Sequence, residues 1–157
     1  MIIINRRILM HINRKATLQR TRDFFDNDYL KYLNNSNFTK YELKSIDYTQ
    51  PYVNHTRRTD GLSLLIAQAI DADAIITSVK QAIYDCPNLP QHPYRTILTQ
   101  RYLKRYNAWQ VALNIQYSAS YYNKLQNEAL LIFADRFAIQ QVINQVKNII
   151  DLHIYEN

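Results

Sequence analysis

A shortage of glycine is the feature that most limits how this chain can fold. Gly61 is the only glycine among 157 residues, and four prolines accompany it. Tight β-turns rely on glycine where the backbone needs a positive φ, so a sheet with many hairpins would lack turn residues here. Leucine, isoleucine, alanine, glutamine, lysine and tyrosine are abundant instead. The composition therefore predicts an all-α protein.

Residues 1–59 are predicted to be an N-terminal helical extension followed by a connector. The first twenty residues mix apolar and basic side chains, and they form either a basic helix or a frayed arm. Thr21 is expected to cap a helix that has apolar residues up to Leu33 and ends near Asn34. From Ser36 to Thr59 no hydrophobic period is sustained, which indicates a connector with at most one short helix.

The rest of the chain has apolar residues at steps of three and four. Residues 60–137 are predicted to form the main domain, a helical bundle in which the Pro87–Pro90 turn separates a long helix from later ones. Residues 138–157 continue the pattern and predict a C-terminal amphipathic helix. That helix either packs on the protein's own core or pairs with a second copy to form a homodimer.

Charge and cysteine content favour an intracellular protein with a polyanionic partner. Lysine and arginine total 19 against 13 aspartate and glutamate residues, a formal charge of +6. An excess of cations suits a partner such as double-stranded DNA. Cys86 is the only cysteine, so no disulfide framework is available and a reducing cytoplasm is expected. No stretch has the length and hydrophobicity of a membrane span, so no membrane partner is expected.

A pair of short helices is predicted between Asn107 and Phe137. Two helices that cross steeply need a small residue at the crossing and a tight turn four residues later. Ala112 provides the small residue, and Gln116 occupies the turn, where glycine is common because it accepts a left-handed backbone conformation. Ser118 then provides an N-cap for the second helix. This spacing predicts a helix-turn-helix of the DNA-binding type.

The second helix of this pair has two distinct faces. Apolar residues follow at helical spacing from Tyr122 to Phe133 and are expected inside. The opposite face carries short polar groups and a cation in its first turns, where a recognition helix reaches base edges. Basic residues that end the preceding helix are expected to contact phosphates. The residues predicted to contact DNA are Ser118, Ala119, Ser120, Tyr121, Asn123, Lys124 and Asn127 on the second helix, and Arg101, Lys104 and Arg105 before it.

Four stretches of sequence carry a resemblance to a known family. The most specific is Leu125–Ala134, which reads Leu-Gln-Asn-Glu-Ala-Leu-Leu-Ile-Phe-Ala, and it is accompanied by Ile70–Tyr84, Tyr94–Leu98 and Tyr102–Lys104. In these stretches the chain resembles the ArpU family of phage late-gene transcriptional regulators. The resemblance covers about half of the chain, Asp60–Phe137.

The resemblance implies both a fold and a function. Proteins of this family look like the fourth region of bacterial sigma factors, where a helix-turn-helix ends in a similar Glu-Ala-Leu run, and they are associated with control of phage packaging and lysis genes. It implies a DNA-binding regulator, an activator, that works in the cytoplasm of a bacterial host and contacts host RNA polymerase. Gln116 departs from the usual turn glycine, and Asn123 stands where an aromatic residue is common.

Two other functions remain alternatives. A small-terminase-like protein recognises DNA for packaging and joins a helix-turn-helix to an oligomerising arm, whereas a helical protein-interaction module buries the same helices against a partner. Catalysis is not expected, because the sequence has no phosphate-binding loop and no nucleophile elbow. Cys86 and His92 lack the further ligands that zinc needs. We therefore expect no enzyme activity, no metal site and no cofactor.

Overall fold

The structure, a computed structural model, describes residues 11–44 and 56–156. These residues are predominantly helical and include no β-strand, which confirms the all-α prediction. Two of the helices run into π-turns, in which the backbone closes over five residues instead of four. The elements are α1 (Arg14–Asp23), a first π-turn (Phe24–Asp28), α2 (Tyr29–Lys44), α3 (Thr56–Tyr84), α4 (Tyr94–Leu98), a second π-turn (Thr99–Leu103), α5 (Ala108–Asn114) and α6 (Ala119–Ile143).

The first helix begins earlier than the sequence predicts. Asn13 caps α1, because its side-chain oxygen accepts a hydrogen bond from the Ala16 N–H at 3.0 Å. Thr21 lies inside α1, and its buried hydroxyl donates to the Thr17 carbonyl at 2.8 Å. The prediction that Thr21 caps a helix is therefore wrong. The helical path continues through the first π-turn into α2, which passes Asn34 and ends at Lys44, inside the predicted connector.

The first π-turn directs three aromatic side chains into the core. The Tyr29 N–H donates to the Phe24 carbonyl, five residues back, so the helix gains one residue in this turn. Phe24, Phe25 and Tyr29 are all buried as a result. Phe25 stacks on Tyr102 with ring centroids 4.2 Å apart, and Phe24 lies 5.1 Å from Phe137. The aromatic cluster thereby joins the N-terminal helix to the later helices.

The two most extensive helix packings of the described fold are α2 on α3 and α3 on α6. α6 packs against α1, α3, α4 and α5, so it lies at the centre of the described bundle. α3 ends two residues before Cys86, close to the predicted end of its helix. Its inward face includes the buried residues Ile75, Val79, Ala82 and Ile83, whereas Ile70 is exposed. The core joins residues from all three predicted segments.

The C-terminal segment differs from its prediction. The sequence predicts an amphipathic helix over residues 138–157, but α6 ends at Ile143 and residues 144–156 are not helical. Gln145 has a φ of 56°, the left-handed conformation that ends many helices and reverses the chain. Leu152 is then buried in the core. The separate terminal helix is therefore wrong beyond Ile143.

Hydrogen bonds hold this returning segment on the protein's own core. The buried Gln141 side chain accepts from the Ile150 N–H at 2.7 Å and donates to the Ile150 carbonyl at 2.9 Å. Further along, the Asn13 N–H donates to the Ile154 carbonyl at 2.7 Å, and the Ile154 N–H donates to the Thr17 hydroxyl at 3.0 Å. Of the two roles predicted for this segment, packing on the core is the one that the fold adopts, while dimerisation stays a prediction.

Candidate nucleic-acid interface

The short helix α5 is defined by its two ends. At its start, the Asn107 N–H donates to the Gln110 side-chain oxygen at 2.9 Å, which satisfies one of the free donors of a helix N-terminus. Val111 and Ala112 are buried, and Ile115 is partly buried against the core. The predicted small contact residue and its two apolar neighbours therefore face inward.

A left-handed residue ends α5 at the predicted turn. Gln116 has a φ of 61°, and its N–H donates to the Leu113 carbonyl at 3.1 Å. The Tyr117 N–H donates to the Ala112 carbonyl, also at 3.1 Å. This pair of bonds is the Schellman arrangement that closes a helix C-terminus. Gln116 thus adopts the conformation for which glycine is favoured, at a conformational cost of about 1 kcal/mol.

Tyr117 and Ser118 fix how the chain enters α6. The Tyr117 hydroxyl donates to the Pro90 carbonyl at 2.9 Å, and its ring lies 4.9 Å from the Tyr121 ring. The Ser118 hydroxyl accepts from the Tyr121 N–H at 3.3 Å, so Ser118 is the N-cap as predicted. The apolar side of α6 that the spacing predicts is buried at every predicted position: Tyr122, Leu125, Ala129, Leu130 and Phe133.

The predicted reading residues form the outer face of the first turns of α6. Six of the seven are exposed, and Lys124 is the cation among them. Asn127 is half-buried, and its side-chain oxygen accepts a hydrogen bond from Arg22 of α1. The exposed predicted residues are Ser118, Ala119, Ser120, Tyr121, Asn123 and Lys124.

The three predicted phosphate-contacting residues lie in different environments. Lys104 is exposed. Arg105 has a φ of 61° and donates from Nη2 to the Phe25 carbonyl at 3.0 Å, with Asp26 at 3.9 Å from Nη1. Arg101 is half-buried and donates to the Tyr106 carbonyl at 3.4 Å. Arg105 is exposed like Lys104, but its guanidinium has structural partners within the protein.

Buried polar side chains lie on the core side of α6 and in the second π-turn beside it. The Gln126 amide donates to the Tyr102 hydroxyl at 2.8 Å, and both side chains are buried. Burial raises the pKa of Tyr122 to about 12, and the hydroxyl of Tyr122 has no hydrogen-bond partner among the described residues. The sequence pattern does not indicate this cluster, because Tyr102 and Tyr122 look like ordinary core tyrosines and the burial of Gln126 depends on a distant partner.

The Glu128 carboxylate, beside the predicted reading face, is hydrogen-bonded within the protein. The Tyr94 hydroxyl donates to Glu128 Oε2 at 2.6 Å. Since this hydroxyl has one proton, His92 Nδ1, 3.0 Å away, is the donor in the second bond. Burial, together with the bond to Glu128, raises the pKa of Tyr94 to about 12. Glu128 therefore bonds to α4, and its carboxylate is directed toward that helix.

The bond between Arg22 and Asn127 joins two residues that lie 105 positions apart. Arg22 is absent from the predicted site because nothing in the spacing of α1 indicates which later helix it meets.

Across residues 11–44 and 56–156, no cluster of three or more histidine, cysteine or acidic side chains is arranged to hold a metal ion. None of the described helices combines the length and hydrophobicity that crossing a membrane requires.

Comparisons with known proteins add no further identification. No family model matches the chain, and neither the curated proteins nor the solved structures give a significant match.

Proposed function

We propose that this protein is a sequence-specific, double-stranded DNA-binding transcriptional regulator, with α5 and α6 as its helix-turn-helix. The observation that carries the proposal is the left-handed turn at Gln116, followed by the Ser118 cap and an exposed polar face on α6. A recognition helix needs its N-terminal turns to be free of the core and lined with groups that donate to and accept from base edges. The exposed face of α6 meets both requirements.

The side chains on this face differ in whether they suit contact with bases or with phosphates. Asn123 presents an amide that can pair with the N6 and N7 groups of adenine, and Ser120 presents a short hydroxyl. Lys124 presents a point charge that is suited to a phosphate. We assign base reading to Asn123 and Ser120, and phosphate contact to Lys124 and Lys104.

The electrostatics are compatible with a polyanion at this surface. Glu128, the carboxylate beside this surface, is half-buried and is held toward α4 by the hydrogen bond from Tyr94. The chain as a whole has a formal charge of +6. An excess of positive charge also speeds association with DNA.

The regulatory task rests on the resemblance to the ArpU family. From it we propose control of phage or prophage late genes, as an activator that contacts host RNA polymerase. A homodimer would suit this task, because two copies read two half-sites and multiply discrimination.

The test is binding of the purified protein to DNA from its own genomic neighbourhood, compared with a scrambled duplex of equal length at two salt concentrations. The proposal predicts tighter binding to one genomic fragment and weaker binding at the higher salt concentration, because phosphate contacts release counterions. Equal affinity for both duplexes would reject sequence-specific recognition.

Exposed apolar residues on α5 favour a second candidate, a protein-interaction module. Trp109 is 64% exposed and Leu113 is 71% exposed, four residues apart on one side of the helix. A protein interface centred on an aromatic residue would use such a pair. Its binding would change little or tighten with added salt, which is the opposite of DNA binding.

A further inference from the structure

A groove runs between α1 and α6 beside the predicted reading face. Its volume is about 510 Å³, and it opens to solvent. Lys15, Gln19 and Arg22 line it from α1, Asn13 lines it at the start of that helix, and Asn127 lines it from α6. We refer to it as the α1–α6 groove. None of the residues predicted from the sequence to contact DNA lies on its α1 side.

The polar residues of α1 share one face of the helix. Lys15, Gln19 and Arg22 are separated by four and three positions, so they lie one above another. Seven residues of helix rise by about 10 Å, which equals about three base-pair steps along the axis of B-DNA and is too long for one small anion to bridge. A strand of phosphates, rather than a single small anion, therefore matches the spacing of the two cations.

The charge in the groove selects for an anion. Its lining includes two cations and no carboxylate among the described residues. Asp23 lies next to it, outside the lining, and accepts a hydrogen bond from the Gln19 amide at 2.9 Å. The groove also begins at the N-terminus of α1, where the helix dipole adds partial positive charge.

Arg22 connects the groove to the predicted reading helix. One of its Nη atoms donates to Asn127, which follows Lys124 by three positions on α6. A guanidinium has five N–H donors, so Arg22 can keep this bond and still donate to a phosphate oxygen. The α1–α6 groove is thus fixed at the edge of the predicted reading face.

We propose that the α1–α6 groove binds the phosphate backbone of double-stranded DNA, through Lys15 and Arg22, next to the segment that α6 reads. This inference rests on the proposed function. It extends the contact surface to a helix outside the predicted 60–137 domain and gives the N-terminal extension a role in affinity. Because phosphates carry no sequence information, this role is independent of which bases are read.

The experiment measures affinity for a 30-base-pair duplex across a series of KCl concentrations. It compares wild type with Lys15→Ala, Arg22→Ala and the double variant. The matched control is Lys31→Ala, since Lys31 is an exposed lysine on α2, outside the groove. Each lost phosphate contact is expected to lower the slope of log K against log salt by about 1, and affinity at 0.1 M salt by roughly tenfold. The ratio of genomic to scrambled affinity should stay unchanged.

The outcomes separate this inference from the proposed function. If wild type binds DNA and the variants keep its salt slope, the groove proposal is overturned while the function stands. If wild type binds no DNA, both are overturned. Lys15 is exposed and is not tied to α6, so its variant keeps the test valid even if Arg22→Ala disturbs the fold.

Discussion

Arg105 donates a hydrogen bond from Nη2 to the carbonyl oxygen of Phe25 at 3.0 Å, across 80 residues of sequence. The acceptor belongs to the first π-turn, the element that directs Phe24 and Phe25 into the core. The bond therefore connects the turn before α5 to the N-terminal helix. Although Arg105 lies in a basic run, its guanidinium stabilises the fold.

Arg105→Ala should lower the free energy of unfolding by about 1–2 kcal/mol, because a charge-assisted hydrogen bond is lost and the Phe25 carbonyl loses this donor. The Asp26 carboxylate at 3.9 Å contributes little, since it is exposed. Urea denaturation provides the measurement. Lys104→Ala, one residue away on an exposed side chain, is the control and should leave the midpoint unchanged. Equal effects of the two variants would contradict the assignment.

Gln116→Gly should stabilise the protein by about 1 kcal/mol, because glycine adopts a φ of 61° without the steric cost that a Cβ carries. The melting temperature should rise by about 2–4 °C. Leu113→Gly, an exposed position inside α5, should instead destabilise by up to about 1 kcal/mol. A loss of stability in Gln116→Gly would mean that the left-handed turn is not formed.

Local sequence patterns predicted the α5–α6 pair well, because its boundaries depend on nearby residues. The Ala112 crossing residue, the Gln116 turn and the Ser118 cap all lie within seven positions, and each acts through its neighbours. The inward face of α6 also follows directly from its period. Whether this pair reads DNA is a separate matter, and it stays a proposal.

Contacts between residues far apart along the chain determine the structure where the sequence-based prediction fails. Val146 and Ile150 have helical spacing, but the bonds between Gln141 and Ile150 hold the chain in a non-helical path. Asn13 caps α1 while its own N–H pairs with Ile154 near the other end of the chain. The contact between Arg22 and Asn127 likewise depends on how α1 packs on α6. Periodicity within one segment carries no information about such partners.

Tyr122→Phe should be neutral or stabilise the protein by up to about 1 kcal/mol, because the Tyr122 hydroxyl is buried without a partner among the described residues. Tyr102→Phe should destabilise it by about 1–3 kcal/mol, since it removes the acceptor for the buried Gln126 amide. Thermal unfolding at neutral pH compares the two. A larger loss in Tyr122→Phe than in Tyr102→Phe would contradict this account.

Alkaline pH should unfold the protein as its buried acids ionise. Burial raises the pKa of Tyr122, Tyr94 and Cys86 to about 12 in the folded state. Burial disfavours the charged, deprotonated form of each group, so the folded protein holds these protons more tightly than the unfolded chain does. In the unfolded chain the same pKa values are about 8.5 to 10. The free energy of unfolding therefore keeps its full value below the unfolded pKa values, and it falls as the pH rises through them toward 12. Urea midpoints at about pH 8 and pH 11 should differ less in Tyr122→Phe than in wild type, and an equal difference would show that Tyr122 does not contribute.

Gln141→Leu should destabilise the protein by about 2–4 kcal/mol, because both backbone groups of Ile150 lose the amide that satisfies them. Amide hydrogen exchange at Ile150 and Ile154 should accelerate, since the returning segment detaches locally. Gln140→Leu is the matched control, because Gln140 makes its side-chain bond to Asp85 at the surface. Unchanged exchange in Gln141→Leu would show that the segment is held by other contacts.

The most direct test of the central claim compares Asn123→Ala with Lys124→Ala in binding to the selected genomic site and to its scrambled duplex. Asn123→Ala should lose about 1–3 kcal/mol on the genomic site alone, because a base contact carries sequence information. Lys124→Ala should weaken both duplexes equally and lower the salt slope by about 1. Lys147→Ala, past the far end of α6, is the control and should match wild type. If both face variants match Lys147→Ala on both duplexes, α6 does not read DNA.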